Sequence, residues 1–139
     1  MKFKLATINN RPTEKQLDNL WREAVILKSG SWCEYLGCRK RKHLNAHHIY
    51  SRSRKSVRWD LENGISLCPE HHSLGNDSAH KSPDFKATLI LTGTRTKEFL
   101  DKLERRAKTP AKIDRNREKL ALEKHLKILR QLKPFKIIK

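Results

Sequence analysis

Cys33-Glu34-Tyr35-Leu36-Gly37-Cys38, then Asn45-Ala46-His47-His48-Ile49, then Asp60-Leu61-Glu62-Asn63-Gly64-Ile65-Ser66-Leu67-Cys68-Pro69-Glu70-His71-His72, and last His80, form the stretch on which the fold turns. The span from Cys33 to His80, which also includes His43, holds all three cysteines and six of the seven histidines, His125 being the other. Thiolates and imidazoles are the ligands that soft and borderline divalent metals prefer. Cys33-x4-Cys38 and Cys68-x2-His71 are two short pairs that can converge on one tetrahedral ion, and Gly37 and Pro69 suit the tight turns such pairs need. The competing reading, buried cysteines acting as small hydrophobes, fits poorly with that spacing and with polar surroundings.

Composition gives the metal work to do. Of 139 residues, 36% are hydrophobic and 34% charged, so the apolar core must be modest. A core of that size commonly needs a staple, and structural zinc contributes on the order of 10–16 kcal/mol in small zinc-finger peptides. Three cysteines is an odd number, and Met1-Lys2-Phe3-Lys4 leads into polar sequence, so a disulfide framework is not expected. With no apolar run near the roughly 20 residues that span a bilayer, the expectation is a soluble, intracellular protein in a reducing compartment. The net charge of +17 points to a polyanionic partner, nucleic acid before an anionic membrane surface.

Around the ligand stretch the pattern is helical. Thr13 and Gln16 make a capping-box pair, Leu17, Leu20, Trp21, Ala24 and Leu27 recur at helical spacing, and Gly30 sits at a C-terminal cap. That helix reads as core, with no chemistry of its own. A weak alternation at residues 2–8 suggests an edge strand. Leu44 to Tyr50 and Ile65 to Leu67 read as strands joined by a basic loop, and Pro69 starts a short helix that lasts to Gly75. Further helices are expected from Ser82-Pro83 to Gly93, from Thr96 to Ala107, and from Thr109-Pro110 onward. On the last of these Leu122, Leu126 and Leu129 share a face widened by Ile128 and Leu132. The expected organisation is an N-terminal helical extension (1–30), a metal-centred core (31–81) and a basic helical region (82–139).

Zinc does not account for His43, His47, His48, His72 and His80. Along an extended strand His47 and His48 point to opposite faces, so one can hold an ion while its neighbour does something else. On a helix His71 and His72 diverge by about 100° and can serve two different metals. A phosphodiester-hydrolysing site needs this division, one imidazole for the metal and another, unliganded, for the proton of water.

These residues together resemble the HNH endonucleases, most closely phage-type members with a zinc knuckle. The likeness covers roughly residues 31–81, with a fainter echo in Asp18-Asn19-Leu20-Trp21. It implies an α+β protein whose ββα-metal core, braced by structural zinc on Cys33, Cys38, Cys68 and His71, is flanked by helices. The implied activity is metal-dependent DNA cleavage leaving 5′-phosphate and 3′-hydroxyl ends. His48 resembles the general base, and Asn63 the asparagine that holds the loop so that the base is oriented. His47 and His72 resemble ligands of one catalytic divalent ion (Mg²⁺, Mn²⁺, Ni²⁺ or Zn²⁺).

The last ligand departs from the pattern. Some members carry it four residues after the His72 position, where this chain has Asn76, and His80 lies eight residues on. Eight residues of unbroken helix rise about 12 Å, so His80 can join His72 only if Gly75-Asn76 breaks the helix and turns the chain back. Imidazole being the better ligand, His80 is preferred. Arg52, Arg54, Lys55 and Arg58 on the inter-strand loop, with the basic C-terminal helices, are expected to hold DNA through its phosphates. Two other classes compete: a zinc-stabilised nucleic-acid-binding module without catalysis, and an adaptor that binds proteins through its C-terminal helices.

Overall fold

The computed structural model describes residues 11–76 and 78–132; the strand expected at residues 2–8 lies outside them. Among the described residues the chain is α+β, with four α-helices around one two-stranded antiparallel sheet. The first helix, α1 (Glu14–Lys28), begins with the expected box: Thr13 Oγ1 accepts from the Gln16 amide at 3.1 Å, and Gln16 Oε1 accepts from the Thr13 amide at 2.9 Å. It ends where Gly30 takes φ 85°, a left-handed conformation costly for other residues. Leu17, Trp21, Ala24 and Val25 are buried along one side. Each fully buried large aliphatic contributes about 1.5–3 kcal/mol, enough to fix the helix on the sheet.

Strands β1 (Asn45–His48) and β2 (Gly64–Leu67) pair with His47 opposite Ile65 and His48 opposite Gly64. Alternation sends Ala46 and His48 toward α1, where His48 meets Trp21, and sends His47 toward Phe85. Gly64 is not a turn glycine. Its backbone is extended, but a Cβ there would lie 2.4 Å from Val25 Cγ2 and 2.7 Å from Trp21 Cζ2. Only a residue without a side chain lets α1 come this close to the strand that faces His48.

Beyond the ligand stretch come α2 (Phe85–Thr92), α3 (Lys97–Lys108) and α4 (Arg115–Gln131). Two starts differ from expectation for one reason. A helix begins where a side chain accepts its first free N–H groups. Asp84 does this for α2 and Asp114 for α4, rather than Ser82-Pro83 and Thr109-Pro110. Thr96 caps α3 as expected. On α4, Leu122 and Leu126 are buried, but Ile128 and Leu132 are 50% and 68% exposed and do not widen the apolar face. The first and last helices lie side by side, tied at their rims by Arg130 and Glu23 at 2.6 Å. One apolar cluster joins α1, Trp59 and α4; the other gathers Cys33, Cys68 and the strands over α2 and α3. Among the described residues no helix is long and apolar enough to cross a membrane.

Candidate functional site

Two donor clusters flank the sheet. In the first, the Cys38 amide donates to Tyr35 O at 2.9 Å and the Cys33 amide to Lys40 O at 2.7 Å, folding Cys33-x4-Cys38 into a knuckle with Gly37 at φ 89°. Glu34 pins that knuckle to β2: its amide donates to Ser66 O, its carboxylate accepts from the Ser66 amide, and Arg95 holds the carboxylate at 2.8 Å. Cys68 leaves the end of β2 and His71 lies on the turn behind it, its ring stacked on Tyr35 at 3.9 Å. The sulfur–nitrogen distances from Cys33 and Cys68 to His71 Nδ1 are 3.6 and 3.4 Å, and Cys38 and Cys68 sulfurs are 3.8 Å apart. Ligands at the usual zinc bond lengths of about 2.0–2.3 Å stand about 3.3–3.8 Å from one another around a tetrahedron.

The donor set therefore has the right size and chemistry to hold a metal ion such as zinc. Burial pushes the Cys33 thiol up to about 12, a cost that a bound cation would offset. Burial also raises Cys68, but the His71 amide and the neighbouring thiols outweigh it and hold that thiol below its ordinary value.

The second cluster is His47, His72 and His80, whose nearest ring nitrogens all lie within 4.8 Å of one another. His72 Nε2 and His80 Nε2 are 3.1 Å apart. Two nitrogens on one ion at about 2.1 Å are separated by about 3.0 Å at right angles and about 3.4 Å at the tetrahedral angle. The chain closes the eight-residue gap as follows. Glu70–Leu74 forms one wide π-helical turn, its end marked by the Gly75 amide donating to Glu70 O. Gly75 is extended, and the chain runs back so that the amides of Ala79 and His80 donate to the carbonyls of His71 and His72. Asn76 is exposed and outside the cluster. Burial, followed by the nearby His72 and His80, pushes His47 down to about 4, and burial also lowers His72. Neutral rings are the form a metal needs.

His48 stands beside this cluster without belonging to it. Its Nε2 lies 3.0 Å from Arg58 O, and since a carbonyl only accepts, that nitrogen carries the hydrogen and Nδ1 keeps the free lone pair. Trp21 lies flat on the ring, 3.8 Å away and 6° from parallel. Burial pushes His48 down to about 4 against the opposing pull of the Arg58 carbonyl and Asp18. Asn63, fully buried, holds the loop: Oδ1 accepts from the Tyr50 amide at 2.7 Å, while Nδ2 donates to Tyr50 O and Val57 O. It does not touch the cleft and acts by positioning. Asp18, Trp21, His47, His48, His72 and His80 line one cleft of about 390 Å³.

The basic loop divides. Arg52 is 65% exposed, 3.9 Å from Asp18, and Arg54 is exposed. Lys55 is half-exposed and pairs with Glu14 at 2.8 Å. Arg58 corrects the expectation of a free, phosphate-holding cation. Its side chain is 11% exposed and locked to Asp18 at 2.8 Å and to Glu14 at 3.3 Å, because the buried Asp18 carboxylate needs a counter-charge. Burial raises the Asp18 pKa, but hydrogen bonds from Arg58 and Trp59 Nε1 outweigh it and hold the carboxyl below its usual range.

The sequence marks Asp18 and Trp21 only as a faint part of the resemblance and reads their helix as core; their places beside Arg58 and His48 come from the structure. The signal available was their i, i+3 spacing, a polar residue and an amphipathic one on a single face. His43 is exposed, and His125 bonds its own helix at Ala121 O. Compared with protein-family models, curated proteins and solved structures, the chain gives no match.

Proposed function

We propose that this protein is a metal-dependent DNA endonuclease of the HNH, ββα-metal kind. The observation that carries the reading is an imidazole triad (His47, His72, His80) at the cleft where a fourth, unliganded imidazole keeps a free Nδ1. A packing or storage role explains the triad but not the neighbouring ring held in one tautomer by a backbone carbonyl.

A divalent ion bound by His47, His72 and His80 would supply Lewis-acid stabilisation of charge on the phosphate and leaving oxygen. The residues of the chain do the rest. His48 Nδ1 takes a proton from water as the water oxygen bonds to phosphorus, the bond from phosphorus to the 3′ oxygen breaks, and that oxygen is protonated from solvent. Trp21 and the Arg58 carbonyl fix the ring in the plane and tautomer this transfer needs. Asn63 holds Tyr50 and Val57, and with them the loop that presents the carbonyl. Exposed Arg52 and Arg54 hold phosphates.

Supercoiled plasmid incubated with Mg²⁺, Mn²⁺ or Ni²⁺, against a metal-free control, tests the activity. Relaxed or linear product is expected. His48→Ala should lower the cleavage rate by about 10²–10⁴-fold, the usual contribution of a positioned base, with metal content and DNA binding unchanged. Plasmid that stays intact with every ion, but is bound, would leave a zinc-stabilised binding module in place of the nuclease. A His48→Ala variant cutting at the native rate would remove the base assignment.

A further inference from the structure

A second cleft of about 380 Å³ opens beside the first, and Ser51 lines both. Its cations come from three different elements: Arg54 from the inter-strand loop, Lys86 from α2 and Lys108 from the end of α3. Lys86 lies over the half-buried Tyr50 ring at 4.6 Å, which holds its ammonium at the cleft instead of leaving it loose in solvent. Glu104 is the cleft's one carboxylate and pairs with Lys108 at 2.6 Å, so the net charge of its lining is positive. The carbonyls of Arg106 and Ala107, at the negative end of α3, accept from the Ser56 hydroxyl at 2.7 and 3.3 Å, which tempers the repulsion an anion would meet there.

We infer that this cleft is a phosphate subsite for the DNA strand that enters the His48 cleft. The inference rests on the nuclease reading for its ligand, but the site itself rests on three converging cations around a shared wall. Two residues, Ile49 and Tyr50, lie between His48 and Ser51, a span of three steps that reaches at most about 11 Å. With a rise of about 3.4 Å per nucleotide, the phosphate held by Arg54, Lys86 and Lys108 lies within about three steps of the one cut. The Asn63 hydrogen bonds to both the amide and the carbonyl of Tyr50 fix the chain between the two clefts, so a strand seated in one is indexed to the other. The contact sets register and carries no sequence information.

A fluorescent duplex bound to the His48→Ala protein at 50–200 mM salt reads the subsite without cleavage. Lys86→Ala with Lys108→Ala should flatten the slope of log affinity against log salt by about 0.9, the value of one lost phosphate contact. Lys102→Ala, which removes one positive charge from the exposed side of α3, should leave the slope unchanged. In the cutting protein the double variant should raise KM with kcat nearly constant, since it removes binding shared by ground and transition states. A native slope in the double variant, or an equal loss from Lys102→Ala, overturns the subsite. Plasmid left uncut by the unaltered protein would instead overturn the nuclease reading, and the slopes would still decide the subsite.

Discussion

The two donor clusters lie on one short sheet, yet they are built in opposite ways. The Cys33–Cys38–Cys68–His71 group has four donors, two of its cysteines are buried, and a stacked tyrosine closes it. The His47–His72–His80 group has three donors, one of them on an exposed residue, and it opens into a cleft. Structural metal sites are closed, and catalytic ones keep a position free. The difference also shows what holds each region in shape. Three thiols and an imidazole gathered 3.4–3.8 Å apart form a donor set that could hold a metal ion such as zinc. The histidine cleft, in contrast, is held by the protein itself, through the Trp21 stack, the Asn63 bridges and the Asp18–Arg58 pair.

That contrast can be broken by experiment, beginning with the largest effect on the fold. Cys68→Ser should abolish zinc binding and cooperative thermal unfolding together. Structural zinc contributes on the order of 10–16 kcal/mol, as much as the roughly 5–15 kcal/mol of a whole domain's stability. An equally stable, zinc-free Cys68→Ser protein, measured by calorimetry and elemental analysis, would show that the closed cluster braces nothing.

Asp18→Asn comes next. It leaves a guanidinium only 11% exposed with Glu14 as its remaining partner, a loss of about 3 kcal/mol at neutral pH, at the low end for a broken buried pair. The sign with pH follows from the carboxyl being held below its ordinary value. The stability it contributes is complete above the unfolded carboxyl pKa near about 3.9 and fades as pH falls through the lowered folded value. Denaturant melts of parent and variant should therefore converge in acid; a gap that widens there would contradict the assignment.

The smallest effect on stability should come from His72→Ala, because that ring is half-exposed and belongs to the open cluster. Zinc content and melting temperature should hold, while affinity for a second divalent ion, read by titration calorimetry, falls by more than the roughly 10–100-fold that changes to outer partners cost. If His72→Ala unfolds the protein as Cys68→Ser does, the two clusters are both structural and the comparison fails.

Local chemistry was readable without coordinates. The capping box at Thr13 and Gln16, the left-handed glycines and the tight ligand pairs depend on neighbours a few residues apart, so residue type nearly suffices. Where two local signals competed, the reading slipped. Prolines at 83 and 110 permit a helix to start, but the aspartates at 84 and 114 supply the acceptors that make it start. Arg58 shows the limit most plainly. In the sequence it is one more cation on a basic loop, and only the approach of α1, forty residues earlier, turns it inward.

By itself, then, the order of cysteines and histidines determined that the chain can gather metal, which pairs belong together, and that excess positive charge surrounds them. Tertiary structure alone decided that His80 returns to His72, that Trp21 lies against His48 through the space Gly64 leaves, and that two clefts share Ser51. Ligand identity is written in single side chains, whereas convergence depends on where distant backbone segments are forced to lie once their apolar faces are buried.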